Sequence, residues 1–206
     1  MTPVLGSISL SLGLGLAAIS IFLFSVFLQK ADYRFFVGGW RAAVLVSALS
    51  ILATFLLLNE LLASNFDIRY VAHYTSLETP TIYKVTALWA GQSGSLLFWL
   101  FILSVYTLIV LFKYRNSYTA LMPWVIIVLV IVQAFFLILV NFVENPFSPT
   151  DADFVVANGN GLNPLLQNLT MAIHLPTLYL GYVGFTIPFA FAIAALITKD
   201  TGSVWI

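Results

Sequence analysis

LMPWVIIVLVIVQAFFLILVNF, from Leu121 to Phe142, decides the fold. The run is apolar without alternation and holds no Asp, Glu, Lys or Arg. As a helix it is long enough to cross a hydrocarbon core about 30 Å thick. Barrel strands would be shorter and would alternate in polarity. Four further stretches qualify in the same way: Val4–Leu28, Ala42–Leu62, Leu88–Phe112 and Leu175–Thr198. The composition agrees. The chain is 61% hydrophobic, 16% aromatic and 8% charged, against roughly 25% charged in water-soluble domains. These features predict an all-α integral membrane protein of five transmembrane helices, one transmembrane domain over residues 1–206. Met1-Thr2-Pro3 carries no Lys or Arg, and Val4–Leu28 exceeds the apolar core of a secretory signal, so the first run reads as a retained helix.

Net charge is zero and no basic block is present, which leaves no surface for nucleic acid. The absence of cysteine excludes disulfides, thiolate metal sites, a CxxC pair and covalent heme attachment to this chain. The cations set a direction. One side of the spans receives Lys30, Arg34, Arg41, Lys113, Arg115 and Lys199, the other only Arg69 and Lys84. By the positive-inside rule the first set is cytoplasmic, or in the matrix of a mitochondrion. The N-terminus and the two long loops, Ala63–Ala87 and Val143–Ile173, then face outward. His73 and His174 are then both on the outer side, with the acids Asp67, Glu78, Glu144, Asp151 and Asp153. Loops of that length in a compact protein are usually functional.

The second long loop is ordered by its sequence. Asn163 suits an N-cap and Pro164 a first helical position. Leu162, Leu165, Leu166 and Leu169 fall at helical spacing, which predicts a short amphipathic helix in the membrane interface. That helix delivers the chain to His174 at the mouth of the last span. A neutral imidazole is the commonest protein ligand for metals. Pro176 is expected in the first turn, where a missing N–H costs little, and Gly181 and Gly184 thin the same helix for a large flat molecule. The plainer alternatives are a histidine bonded to a neighbouring carbonyl and glycines that serve helix packing.

Other motifs carry less. Trp89-Ala90-Gly91-Gln92-Ser93-Gly94-Ser95-Leu96-Leu97-Phe98-Trp99 sets small residues between two indoles, as close packing with interfacial anchors or as an aromatic platform. A nucleotide-type phosphate loop is excluded there because its Lys is missing. His73 has no companion at metal-ligand spacing. Asp151 and Asp153 begin like a calcium loop that Val155 and Val156 break. Asn168-Leu169-Thr170 is a formal glycosylation sequon too near the bilayer for use, and Glu60 and Asn141 sit at the outer ends of spans. No catalytic constellation appears, so any chemistry comes from a cofactor or another chain.

Taken in series, Tyr70-Val71-Ala72, Tyr83 to Gly91, Gly94 to Trp99, Asn145-Pro146-Phe147, Leu162 to Gln167, His174, Gly181 to Phe185 and Phe189 to Leu196 resemble the N-terminal part of the CcmF-type cytochrome c biogenesis proteins, within the wider CcmF/CcsA heme-handling group. The resemblance covers the chain from about Phe66 onward. It implies a subunit of the cytochrome c heme lyase that binds heme at the outer membrane face and delivers it for attachment to apocytochrome c. His174 matches the first of two histidines that flank a tryptophan-rich, heme-cradling segment. Trp89, Gly181 and Gly184 become pocket-shaping residues. The implied partners are a heme donor chaperone, apocytochrome c, other maturation subunits, and a downstream half or split partner chain, because the tryptophan-rich segment and second histidine would lie beyond Ile206. This part alone is then expected to be inactive. The implied location is the bacterial inner membrane, or the mitochondrial one. Gln92-Ser93 stands where the family commonly has His-Glu, and Leu175 where it has a proline. A transporter or channel subunit and a purely structural assembly subunit remain open.

Overall fold

The computed structural model describes residues 2–115, 120–150 and 157–199. Asp151, Asp153, Val155 and Val156, raised as a calcium loop, lie outside the described residues. Five helical spans are present, as expected: Thr2–Lys30, Tyr33–Ala63, Gln92–Lys113, Leu121–Val143 and Leu169–Thr198.

The first two spans are α1 (Thr2–Lys30) and α2 (Tyr33–Ala63). Asp32 caps α2, its carboxylate accepting from the Arg34 backbone N–H at 2.9 Å. The helix therefore starts nine residues ahead of the apolar run. Two short helices, α3 (Arg69–Tyr74) and α4 (Thr81–Thr86), fold inside the first long loop, and a 3-10 turn, Ala87–Trp89, leads to α5 (Gln92–Lys113). The quoted run forms α6 (Leu121–Ile138), whose last turn widens into a π turn, Leu139–Val143. The final span is divided into α7 (Leu169–Gly184) and α8 (Thr186–Thr198), which meet at Phe185.

α1 and α2 pair as a hairpin, α2 packs on α5, and α6 lies between α1, α5 and α8, while α7 leans on α5. Small side chains allow the close approach that packing in lipid requires. Ser20 Oγ donates to the Gly39 carbonyl across the α1–α2 seam at 2.9 Å. Large apolar side chains point outward on every span, among them Phe22, Phe55, Ile109, Phe135 and Leu196, as expected where hydrocarbon is the solvent.

Chain direction alternates from span to span, so one end of the bundle gathers Lys30, Arg34, Lys113 and Lys199 at helix termini. There Arg115 lies over the Trp40 ring at 5.6 Å. The opposite end carries both long loops, knitted together. Ile68 and Pro149 form an isolated antiparallel bridge. The Arg69 N–H donates to the Ser148 carbonyl at 3.0 Å and the Thr150 N–H to the Asp67 carbonyl at 2.8 Å. The Asn160 N–H donates to the Ala72 carbonyl at 2.8 Å, and the Gly161 N–H to the Thr75 carbonyl at 3.1 Å. Phe147 drops its ring onto Gly6 of α1, where any Cβ would collide with it.

The approach to the last span is tighter than expected. Asn163 caps as read, accepting from the Leu165 N–H at 3.0 Å, and Pro164 follows at the first helical position. The interfacial element is one 3-10 turn, Pro164–Leu166. A second cap, Asn168, accepts from the Thr170 N–H at 2.9 Å and starts α7 six residues before the apolar run. Pro176 therefore lies inside the helix rather than in its first turn. Its ring nitrogen withholds the bond that the Ala172 carbonyl would otherwise receive.

Candidate functional site

His174 stands in the second turn of α7, at the long-loop end. Its side chain is exposed and engages no hydrogen-bond partner among the described residues. One helical face runs down from it through Thr177, Leu178, Gly181, Tyr182 and Phe185, and these residues line an open groove of about 480 Å³. The spacings of three, four and seven residues put them in a stripe. The Thr177 hydroxyl turns back to the Ile173 carbonyl at 2.8 Å, which leaves the stripe apolar below the imidazole. A Cβ on Gly181 would meet nothing within 4 Å, so that position is a true gap on the groove side.

The other two pocket candidates sit elsewhere. Gly184 faces α5, where a Cβ would touch the Tyr106 ring at 3.8 Å, and the Tyr106 hydroxyl donates to the Leu180 carbonyl at 3.1 Å. Trp89 lies on the far side of α7. It lines a small cavity with Met171, Ala172 and Leu175, and its ring is 5.1 Å from Phe98. Phe98 and Trp99 both continue to Tyr179, at 5.9 and 5.4 Å. The two indoles thus build an aromatic seam between α5 and α7, and that seam braces the helix carrying His174 from behind.

The entrance to α5 is held by Tyr70, a residue that the sequence motifs place but do not explain. Its buried hydroxyl donates to the Ala87 carbonyl at 2.7 Å and accepts from the Gly91 N–H at 3.1 Å. Burial pushes its phenol far above the ordinary range. Gly91 and Gly94 are required by this arrangement. A Cβ on Gly91 would collide with the Tyr74 ring, and one on Gly94 with the Tyr70 hydroxyl and the Leu88 carbonyl. His73, on α3, is exposed and lies with Arg69 in a polar cleft at the same end. Among the described residues no cluster of His, Asp and Glu could hold a metal ion by itself.

Residues 89–203 match the cytochrome C assembly protein family. The chain is 37% identical to the cytochrome c-type biogenesis protein CcmF of Haemophilus influenzae over 142 residues, covering 69% of this chain and 22% of that one. It is 36% identical to CcmF of Escherichia coli, covering 76% and 24%, and 40% identical to CycK of Rhizobium meliloti, covering 69% and 21%. The chain spans about a quarter of the length of these curated relatives. Among solved structures, the cytochrome c heme lyase CcmF superimposes over 100% of this chain and 32% of its own, with a TM-score of 0.83 at 25% identity. Five apolar spans, the same backbone course as that lyase and a family match over more than half of the sequence lead to one statement: the chain belongs to the cytochrome c assembly family.

Proposed function

We propose that this chain supplies one half of an outward-facing heme-handling site for cytochrome c maturation, with His174 as an axial ligand to heme iron. In this reading the N-terminus and the long-loop end face the outer side of a bacterial inner membrane, or of a mitochondrial one. The observation that carries the reading is the exposed, unengaged imidazole at the head of an apolar groove that Gly181 leaves open. A ring nitrogen held by no protein group is available to a metal. The stripe of Leu178, Tyr182 and Phe185 matches a flat, apolar molecule laid along α7.

Heme is cargo in this scheme. The chain's own residues bind and orient it, and the bond-forming chemistry belongs to the heme vinyl groups and the thiols of the receiving cytochrome. Gly181 gives clearance beside the imidazole. Gly184 and Trp89 act less directly, by letting α7 seat against α5 and by stiffening its back. The second axial position is left for a downstream half or split partner chain, and the knitted loops offer a surface to the heme donor chaperone, apocytochrome c and other maturation subunits. One ligand alone gives loose, exchangeable heme.

Hemin titration of the detergent-purified chain tests this. Wild type should give a weak, readily exchanged iron–imidazole spectrum, and His174→Ala should lose it while keeping the same helicity. Identical spectra for the two proteins would overturn the assignment, as would a stable six-coordinate spectrum from this chain alone.

A further inference from the structure

The second long loop holds a doubled dipeptide that the heme site does not use, Asn158-Gly159-Asn160-Gly161. An Asn followed by Gly can close on itself. The glycine nitrogen attacks the Asn side-chain carbonyl carbon, and the missing Cβ leaves that approach unhindered. In sequence the two dipeptides are equivalent. In the folded chain they are not.

The difference begins at the attacking nitrogen. The Gly161 N–H donates to the Thr75 carbonyl at 3.1 Å, so that nitrogen is engaged. The Gly159 N–H meets no acceptor among the described residues. Gly159 is nevertheless seated firmly, since any Cβ there would collide with the Thr75 carbonyl oxygen.

The two carboxamides differ as well. That of Asn160 meets no partner among the described residues. That of Asn158 is held at both ends. Its Oδ1 accepts from the Leu77 N–H at 2.9 Å, and its Nδ2 donates to the Glu78 carboxylate oxygens at 3.2 and 2.9 Å. These contacts suit the attack. Negative charge grows on Oδ1, where a backbone N–H already points. Positive charge grows on Nδ2 as it gains a proton and leaves, where a carboxylate already lies. Asn158 is also exposed, so water reaches it.

We infer that Asn158 is a self-modifying residue, which becomes a succinimide and then aspartate or isoaspartate without another enzyme. The bond from the Gly159 nitrogen to Asn158 Cγ forms and the Cγ–Nδ2 bond breaks. The Gly159 nitrogen gives its proton to solvent, and Nδ2 takes one up and departs as ammonia. Water then opens the ring at either carbonyl. One water enters, one ammonia leaves, and nothing is oxidised or reduced. The new carboxylate faces that of Glu78, so two like charges replace a donor and its acceptor. Modification thus unties the two long loops, and it does so irreversibly.

The inference is independent of heme binding. Its test is tandem mass spectrometry of the detergent-purified full chain, aged at neutral pH in heavy-oxygen water, with a second sample aged in urea. In the folded chain the label should enter at position 158 about fivefold faster than at 160, the worth of the hydrogen bond that the Gly161 N–H would have to surrender. In urea the two rates should converge. Glu78→Gln should slow conversion at 158 several-fold and leave 160 unchanged. Hydroxylamine, which cleaves succinimides, should release a fragment that begins at Gly159. Equal rates in the folded chain, or a faster rate at 160, would overturn the proposal. Conversion at 158 in urea alone, or a rate there that Glu78→Gln leaves unaltered, would overturn it too.

Discussion

His174 stands out in the sequence as a candidate because a histidine at the mouth of an apolar run is conspicuous in a chain with only two. Its surroundings were not legible there, since the direction of an imidazole depends on where α7 starts, and the Asn168 cap moved that start toward the N-terminus. Tyr70 shows the converse. It belongs to a recognisable motif, yet its task, a hydroxyl shared between the Ala87 carbonyl and the Gly91 N–H, needs two loops to meet and leaves no periodic trace. Tyr70→Phe strands both backbone groups away from water and should cost about 1–3 kcal/mol. Thermal unfolding in detergent should reveal it, and an unchanged midpoint would show that the pair finds other partners. Gly94→Ala should be worse, because its Cβ would strike a backbone carbonyl as well as the Tyr70 hydroxyl. Little folded protein should be recovered from that variant, as read by size-exclusion chromatography. A monodisperse, native-like peak would mean that the α5 entrance can shift.

At the scale of elements, the apolar runs gave the five spans to within a few residues, except where a cap overrode composition. Asp32 extends α2 and Asn168 extends α7 beyond their apolar cores. α3 and α4, six residues each, are too short to show a helical period and are held by contacts that sequence alone does not show. α6 hides a polar core behind its apolar sequence. Gln133 is fully buried, and its amide donates to Ser47 Oγ at 3.0 Å and to Ser104 Oγ at 3.1 Å, which ties α2, α5 and α6 together. Its carbonyl oxygen meets no donor among the described residues. Hydrogen bonds between membrane helices average about 0.6 kcal/mol, and an unpartnered buried carbonyl costs a comparable or larger amount. The two effects nearly cancel, so Gln133→Leu should change stability in lipid by less than about 1 kcal/mol. A loss well above that in an unfolding assay would point to a further partner for the carbonyl, such as an internal water.

For the whole molecule, the long-loop end is the part that sequence could least foresee. Its length and its acids were plain, but the pairing of Ile68 with Pro149 joins segments on opposite sides of two spans. The two loops are also tied by charge. Asn158 donates to both Glu78 carboxylate oxygens, at 3.2 and 2.9 Å, and its own carbonyl accepts from the Leu77 N–H at 2.9 Å. Asn158 foremost, with the Glu78 backbone N–H and Ser76 assisting, holds the Glu78 carboxyl below its ordinary range. A carboxyl lowered on folding adds stability that is present above its unfolded pKa and is lost as pH falls through the folded one. Hydrogen exchange at the Leu77 amide, corrected for its intrinsic rate, should accelerate as pH drops below the ordinary glutamate value of 4.5. Asn158→Ala should abolish that step, and a pH-independent protection factor in wild type would refute the tie.

The ring of Phe147 resting on Gly6 has a consequence for biosynthesis. Ser11, next along α1, reaches the same distant region, donating to Asn141 Oδ1 at 2.9 Å. α1 thus contacts residues at and just beyond the end of the third span to follow it in the chain. α1 can pair early with α2, but its amino-terminal end has to wait, unlatched, until the fourth span has been threaded and the segment behind it comes down to close the seam.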